Sequence, residues 1–252
     1  MVNFLTNTLA YSGVGNKCLL SDSSTHVQRH QENTINYQDL INYFIEIAFG
    51  IEIKSHNKQS KSMIKKWTKD IKIKICGTPG AYDELTVSNT IRKLNCLIGK
   101  TNIYTVWNDP NVRIYFGKTE DFSEKRDYQY IKGSNGLFHY KYNSKGEILE
   151  ADVYILTDKG DERSRSHTVA EELAQVLGLP QDSYKYKDSI FYQGNTAVSS
   201  YSQIDEWVIS TLYMSCISPG MDEHSVRVAL NNNISKPPTI DRDRNVLCLP
   251  CQ

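Results

Sequence analysis

The stretch "HTVAEELAQVLGLPQDS", residues 167–183, decides how this chain is read. Apolar Val169, Leu173, Val176 and Leu177 recur at helical spacing, which predicts a helix over 166–178 packed on a sheet by that face. Residues four apart share a side of a helix, so His167, Glu171 and Gln175 fall in one row, with Glu172 turned about 100° to the neighbouring stripe. Gly178 offers the left-handed residue at which helices commonly end, and Leu179 continues the core beyond it. Asp182 and Ser183 then resemble a capping pair for the following turn.

Upstream, "EILEADVYILT" (147–157) reads as a strand running into this helix. Before it stand the turn-forming pairs Asn135-Gly136 and Lys145-Gly146, a polar segment from Lys118 to Lys132, and two strand-like runs, "NIYTVW" and "NVRIYF", separated by "NDP". Asp83 and Glu84 open a helix whose apolar face is Leu85, Val87, Ile91, Leu94, Leu97 and Ile98, ending before Gly99. "IKIKIC" alternates Ile71, Ile73 and Ile75 with Lys72 and Lys74, the period of a half-buried strand with one wet face. "SHNKQSKS" is a solvated loop, and Leu40, Ile41, Phe44, Ile45, Ile47, Ala48 and Phe49 mark a buried helix stopped by Gly50. A further helix is expected from about Gln203 to Met214. The order predicts one α+β domain over 37–252, preceded by a mobile polar arm over 1–36.

A chain of 252 residues can bury a substantial core. Its 29 basic and 29 acidic side chains cancel, so no overall field draws it to nucleic acid, and no apolar run is long enough to span a membrane. The first 24 residues lack the basic start and apolar run of a secretory signal, which leaves export dependent on a signal already removed. Six cysteines, Cys18, Cys76, Cys96, Cys216, Cys248 and Cys251, are compatible with disulfides, but their spacing selects no pairing. Cys248 and Cys251 form "CLPC" without the βαβ context of a redox motif or the second pair of ligands of a zinc site. G-x-S-x-G, G-x-x-x-x-G-K-[ST] and G-x-G-x-x-G are absent.

The run "EELAQVLGLPQDSYKYKDSIFYQ" resembles a bacterial family of unknown function, many of whose members are described as lipoproteins, with the signature E-E-L-x-Q-x-L-G-L-x-x-D-S. The similarity extends from about Asp39 to Met221, through "FIEIAFG", "IKKWTKDIKIKICG" and "LYMSCISPGMD". The same run is similar to the metzincin frame H-E-x-x-H-x-x-G-x-x-H, with Glu171, Gln175 and Gln181 at the three His positions and Glu172 and Gly178 in place. That likeness implies a zincin-like (metzincin-like) α+β fold: a small twisted mixed sheet, a backing helix and an active-site-type helix. In such folds an edge strand running just before the active helix lines the cleft, a place the strand ending near Thr157 fits. Met221 in "SPGM" then reads either as the Met-containing turn beneath the metal or as a plain Pro-Gly turn.

The resemblance makes Glu172 the candidate general base, facing the cleft or its margin, with Glu171, Gln175 and Asp182 as further candidate site residues. Glu171 and Glu172 point too far apart to flank one bond, so an acid partner for Glu172 would be Asp182 or Asp188. His167 and Glu171 are candidate ligands of a rearranged divalent-metal site; with no His at the three expected positions, no resident zinc and no cofactor is expected. The competing structural reading has His167 helping the helix start, Glu171 and Glu172 complementing its N-terminal dipole, and Gln175 bonding a neighbouring loop. The function expected is that of a degenerate metallopeptidase-like protein, exported to the periplasm or envelope and binding peptide or envelope proteins. The alternative is a divergent hydrolase that uses Glu172.

Overall fold

The structure is a computed structural model that describes residues 36–49, 62–194, 196, 198–233, 239–241 and 246–248. The expected arm before Asn36, most of the "SHNKQSKS" loop, Cys18 and Cys251 lie outside them. The elements run α1 (Tyr37–Phe49), β1 (Ile71–Gly77), α2 (Ala81–Ile98), β2 (Ile103–Thr105), β3 (Val112–Gly117), α3 (Tyr128–Gly133), β4 (Gly136–Tyr142), β5 (Ile148–Leu156), α4 (Glu162–Gln175), α5 (Gln203–Leu212), α6 (Glu223–Asn233), β6 (Thr239–Asp241) and β7 (Val246–Cys248).

Five strands form a mixed sheet in the order β2-β1-β3-β5-β4, parallel except for β4, which runs antiparallel to β5. In β1 the period-two pattern buries Ile71 and Ile73 on the helix side and leaves Lys72 and Lys74 half-exposed on the other. The main core lies between that sheet face and the helices α1, α2, α4, α5 and α6. A smaller cluster on the opposite face joins Phe122, Ile131, Leu137, Tyr154 and Leu156 beneath α3 and a 3-10 turn, Thr119–Phe122. The segment expected to be merely polar between Lys118 and Lys132 therefore contributes Phe122 and Ile131 as apolar plugs.

Three sequence expectations need correction. β5 is flanked by β3 and β4, so the strand before the motif helix is interior, and among the described residues β4 is the last strand on that side. Leu85 is 54% exposed and does not belong to the buried face of α2. The motif helix starts four residues earlier than expected, where Asp161 as N-cap accepts a hydrogen bond from Ser164 N at 2.8 Å. His167 thus sits in the helix interior, and neither it nor Glu171 nor Glu172 serves the helix start.

The end of α4 shows why Gly178 is a glycine. Its φ is +116°, and a Cβ there would lie 1.9 Å from the Lys65 carbonyl oxygen, so the chain passes under the 62–67 segment only without a side chain. The carbonyls left over at a helix end are met from outside: Trp67 Nε1 donates to Val176 O at 2.8 Å, and Tyr213 Oη to Leu177 O at 3.2 Å. Arg165 Nε donates to Asp83 of α2 at 3.0 Å, and Tyr201 Oη to Ala170 O at 2.8 Å. Fastened on these sides, α4 is a central helix, and its polar residues are held in fixed positions.

Candidate functional site

Two polar stripes of α4 face different neighbours. Thr168 and Glu172, one turn apart, face the start of β4. A Cβ on the buried Gly136 would fall 2.4 Å from Thr168 Cγ2 and 2.8 Å from Glu172 Oε1, so this glycine lets strand and helix close together. Glu172 is itself buried beneath β4. Beyond Gly136 the same side of β4 carries Phe138, Tyr140 and Tyr142, with ring centroids 5.7 and 6.0 Å apart in succession. Lys65, buried at the far end, places its ammonium 5.3 Å from the Tyr142 ring centre.

The second stripe, His167, Glu171 and Gln175, faces the segment that follows the helix. His167 Nε2 lies 3.4 Å from Glu171 Oε2, and its Nδ1 lies 2.5 Å from the Val198 carbonyl oxygen. Both ring nitrogens can donate together only in the imidazolium form. Burial works against that charge. The hydrogen bond and charge of Glu171, the Val198 carbonyl and the charge of Asp182 outweigh it and hold the His167 pKa above its ordinary value. Gln175 Nε2 donates to Asp182 Oδ1 at 2.7 Å. The expectation that Gln175 bonds a neighbouring loop is met at that contact.

The expected residues therefore come together unevenly. His167, Glu171, Gln175 and Asp182 form one connected group, while Glu172 stands on the adjacent stripe against β4. Asp188 joins neither. It borders an open hollow of about 460 Å³ with Arg163, Val198, Ser199, Ser200 and Ser202. Gln181, at the third frame position, uses its backbone N–H to bond Ile47 O of α1 at 3.2 Å. Ser183 Oγ accepts from Lys185 N at 3.0 Å, a local turn cap, but Asp182 instead receives the Gln175 amide.

Ser218-Pro219-Gly220-Met221 is a turn with Gly220 at φ +83°, the Met221 N–H directed to Ser218 O at 3.4 Å and the Met221 sulfur accepting from Ser218 N. Its backbone pairs with Ile64 on both sides, Ile64 N donating to Met221 O and Gly220 N to Ile64 O. Among the described residues no three His, Cys, Asp or Glu side chains converge to hold an ion.

The model of the family described as "Protein of unknown function (DUF2927)" matches residues 37–232. The chain belongs to DUF2927. Two structures of myroilysin resemble this DUF2927 chain at 13% and 15% identity, each with a TM-score of 0.37, over 60% and 59% of this chain and 83% and 86% of theirs. No curated protein matches it. No helix among its described residues is long and apolar enough to cross a membrane.

Sequence reasoning missed one polar centre in this DUF2927 chain. The fully buried Asp205 accepts from Ser189 Oγ at 2.5 Å, Ile190 N at 2.9 Å, Ser202 N at 2.8 Å and Ser202 Oγ at 2.9 Å. Tyr43 Oη lies 2.8 Å from Ser189 Oγ and extends the network into α1. Ser202 three residues before Asp205 is a visible capping signal, but Tyr43 and Ser189 are brought in by the fold alone. β4 was missed as well: Phe138, Tyr140 and Tyr142 alternate with His139 and Lys141 in the period of a half-buried strand, but only the turn pairs on either side of them were read.

Proposed function

We propose that this protein binds an extended polypeptide partner without hydrolysing it, on a zincin-like frame whose metal positions have become internal hydrogen-bonding positions. The observation that carries this reading is the engagement of the α4 row beside the last strand of the sheet among the described residues. Gln175 is bonded to Asp182 and both nitrogens of His167 have partners, while β4 has a strand on one side only among the described residues. The border of a sheet is where an extended chain can be laid beside a strand. The zincin-like frame is supported by the antiparallel strand β4 lying against the motif helix at Gly136 and by the turn of that helix at Gly178. Without a metal to acidify water, a carboxylate alone activates it far more weakly, so little peptidase activity is expected.

The divergent-hydrolase alternative rests on Glu172, buried with its carboxylate against the start of β4. A broad peptide library, followed for binding and cleavage with wild type and Glu172→Gln, separates the readings. Retained binding with no cleavage in either protein supports the binding role. Wild-type cleavage that vanishes in a normally folded Glu172→Gln refutes it. Elemental analysis belongs to the same test, since one zinc per chain lost on changing Glu171 or His167 would restore a rearranged metal site. We further propose an envelope or periplasmic location. Cys96 is disulfide-bonded, a state that persists in oxidising compartments, and thiol counting on protein from its native source checks it.

A further inference from the structure

We infer that Asn135-Gly136 is a site of self-modification, at which the Asn135 amide is lost as ammonia and the chain is rejoined through an isoaspartyl link that loosens the entry to β4. The pair reads in the sequence as a hairpin turn, but the fold uses it otherwise: Asn135 lies in a bend after α3, and Gly136 is the first residue of β4. Among the asparagines of the chain, Asn135 alone is followed by glycine.

The reaction requires the backbone nitrogen after an asparagine to reach its side-chain amide. Gly136 has no Cβ to shield that nitrogen. Leu156 N donates to Asn135 O at 3.1 Å, which makes Asn135 a hydrogen-bonded position of the β4–β5 ladder. Such positions alternate along an antiparallel pair, so Gly136, set against Ile155, turns its N–H away from β5. The ladder does not hold it. Asn135 is itself exposed, so water reaches the amide.

Asn143, in the turn at the other end of β4, shows what protection requires. Its amide nitrogen donates to Glu147 Oε2 at 2.7 Å, and its side-chain oxygen accepts from Lys145 N and Glu147 N, each at 3.0 Å. Held at both atoms, that side chain is kept from the nitrogen of Ser144.

In the step itself, Gly136 N gives its proton to water and attacks Asn135 Cγ, and the side-chain nitrogen takes up a proton and leaves as ammonia. Water then opens the cyclic imide. Addition at Cγ gives an ordinary aspartate. Addition at the backbone carbonyl carbon breaks its bond to Gly136 N, frees that carbon as a carboxylate and leaves the chain running through Cβ and Cγ. Either route consumes one water and releases one ammonia. The isoaspartyl chain has one more atom between Ile131 and Leu137, which belong to the same small core cluster. Its new carboxylate replaces the carbonyl to which Leu156 N donates. Gly136 cannot absorb the change, because even a Cβ there would fall 2.4 Å from Thr168 Cγ2 and 2.8 Å from Glu172 Oε1.

The full chain, its Asn135→Gln variant and a capped peptide of residues 131–139 are kept warm at mildly alkaline pH, with peptide mass mapping and enzymatic methylation of isoaspartate as readouts. The chain should convert at Asn135 at a rate within about tenfold of the peptide's, with more isoaspartate than aspartate, while Asn143 and the Asn135→Gln chain stay unchanged. The converted fraction, separated by its added negative charge, should unfold at a lower denaturant concentration and be cleaved sooner by protease between α3 and β4. An Asn135 amide that survives in the chain while the peptide converts overturns the inference, as does earlier conversion of another asparagine. A converted fraction as stable and as resistant as fresh protein overturns the loosened entry.

Discussion

Asp205 and the α4 row are built from the same kinds of side chain, both between a helix and the 182–202 segment, yet they differ in closure. Asp205 is fully buried and accepts four hydrogen bonds, two of them from backbone N–H groups. In the α4 row the side chains of His167 and Glu171 keep 14% and 19% of their surface open. A carboxylate saturated in the interior has nothing left for a ligand and can only hold parts together. A half-open row can still meet one. Closure, and not residue type, separates the two.

The largest effect should come from opening the closed network. Asp205→Ala strands the donors of Ser189, Ile190 and Ser202 in the interior, and a loss of about 3–5 kcal/mol is expected, enough to compromise folding. Denaturant unfolding measures it. A loss below about 1 kcal/mol would show that the network is not what secures the segment. Next comes the strand side of α4. Gly136→Ala forces its methyl against Thr168 and Glu172 and should cost about 1–3 kcal/mol. Thr168→Ser removes the methyl carbon in the closest contact, so the double variant should recover part of that loss, and strict additivity of the two would deny the contact.

A smaller change is expected in the row itself. Gln175→Ala removes the amide that donates to Asp182 and should cost about 1 kcal/mol, with peptide binding along β4 retained. If instead binding were abolished at unchanged stability, the row would be part of the binding surface and not its support.

Legibility in the sequence followed the range of the interaction. The apolar stripe of α4 and the alternation of β1 are local periodicities; β1 stands where its pattern puts it, and the stripe lies on a helix that starts and ends earlier than the expected 166–178. The start of α4 at Asp161 was hidden because Arg163 and Arg165 break the apolar pattern, although Arg165 is held by Asp83 from α2. That β4 and not β5 is the last described strand on its side depends on strand order, which no spacing encodes. Within the site, the shared row of His167, Glu171 and Gln175 follows from helix geometry alone. The Asp182 partner of Gln175 and the Gly136 contact of Glu172 arise only when loop and strand are folded back.

The smallest expected effect is also the one that tests whether the row senses pH. His167 has its pKa raised in the folded protein, against burial, by Glu171, the Val198 carbonyl and Asp182. A base whose folded pKa lies above its unfolded value adds stability that is fully present below the unfolded pKa, near about 6.5, and is lost as pH rises through the folded pKa. In the neutral ring one nitrogen ceases to donate, so either the Val198 or the Glu171 contact weakens. His167→Gln can keep a single donor but cannot carry charge. Wild type should therefore exceed this variant in stability most at acidic pH, with the difference narrowing as pH rises past neutrality. Thermal unfolding at a series of pH values provides the comparison. A difference that stayed constant or widened towards alkaline pH would mean that His167 contributes by packing, and that the α4 row is as insensitive to protons as the closed network around Asp205 is to ligands.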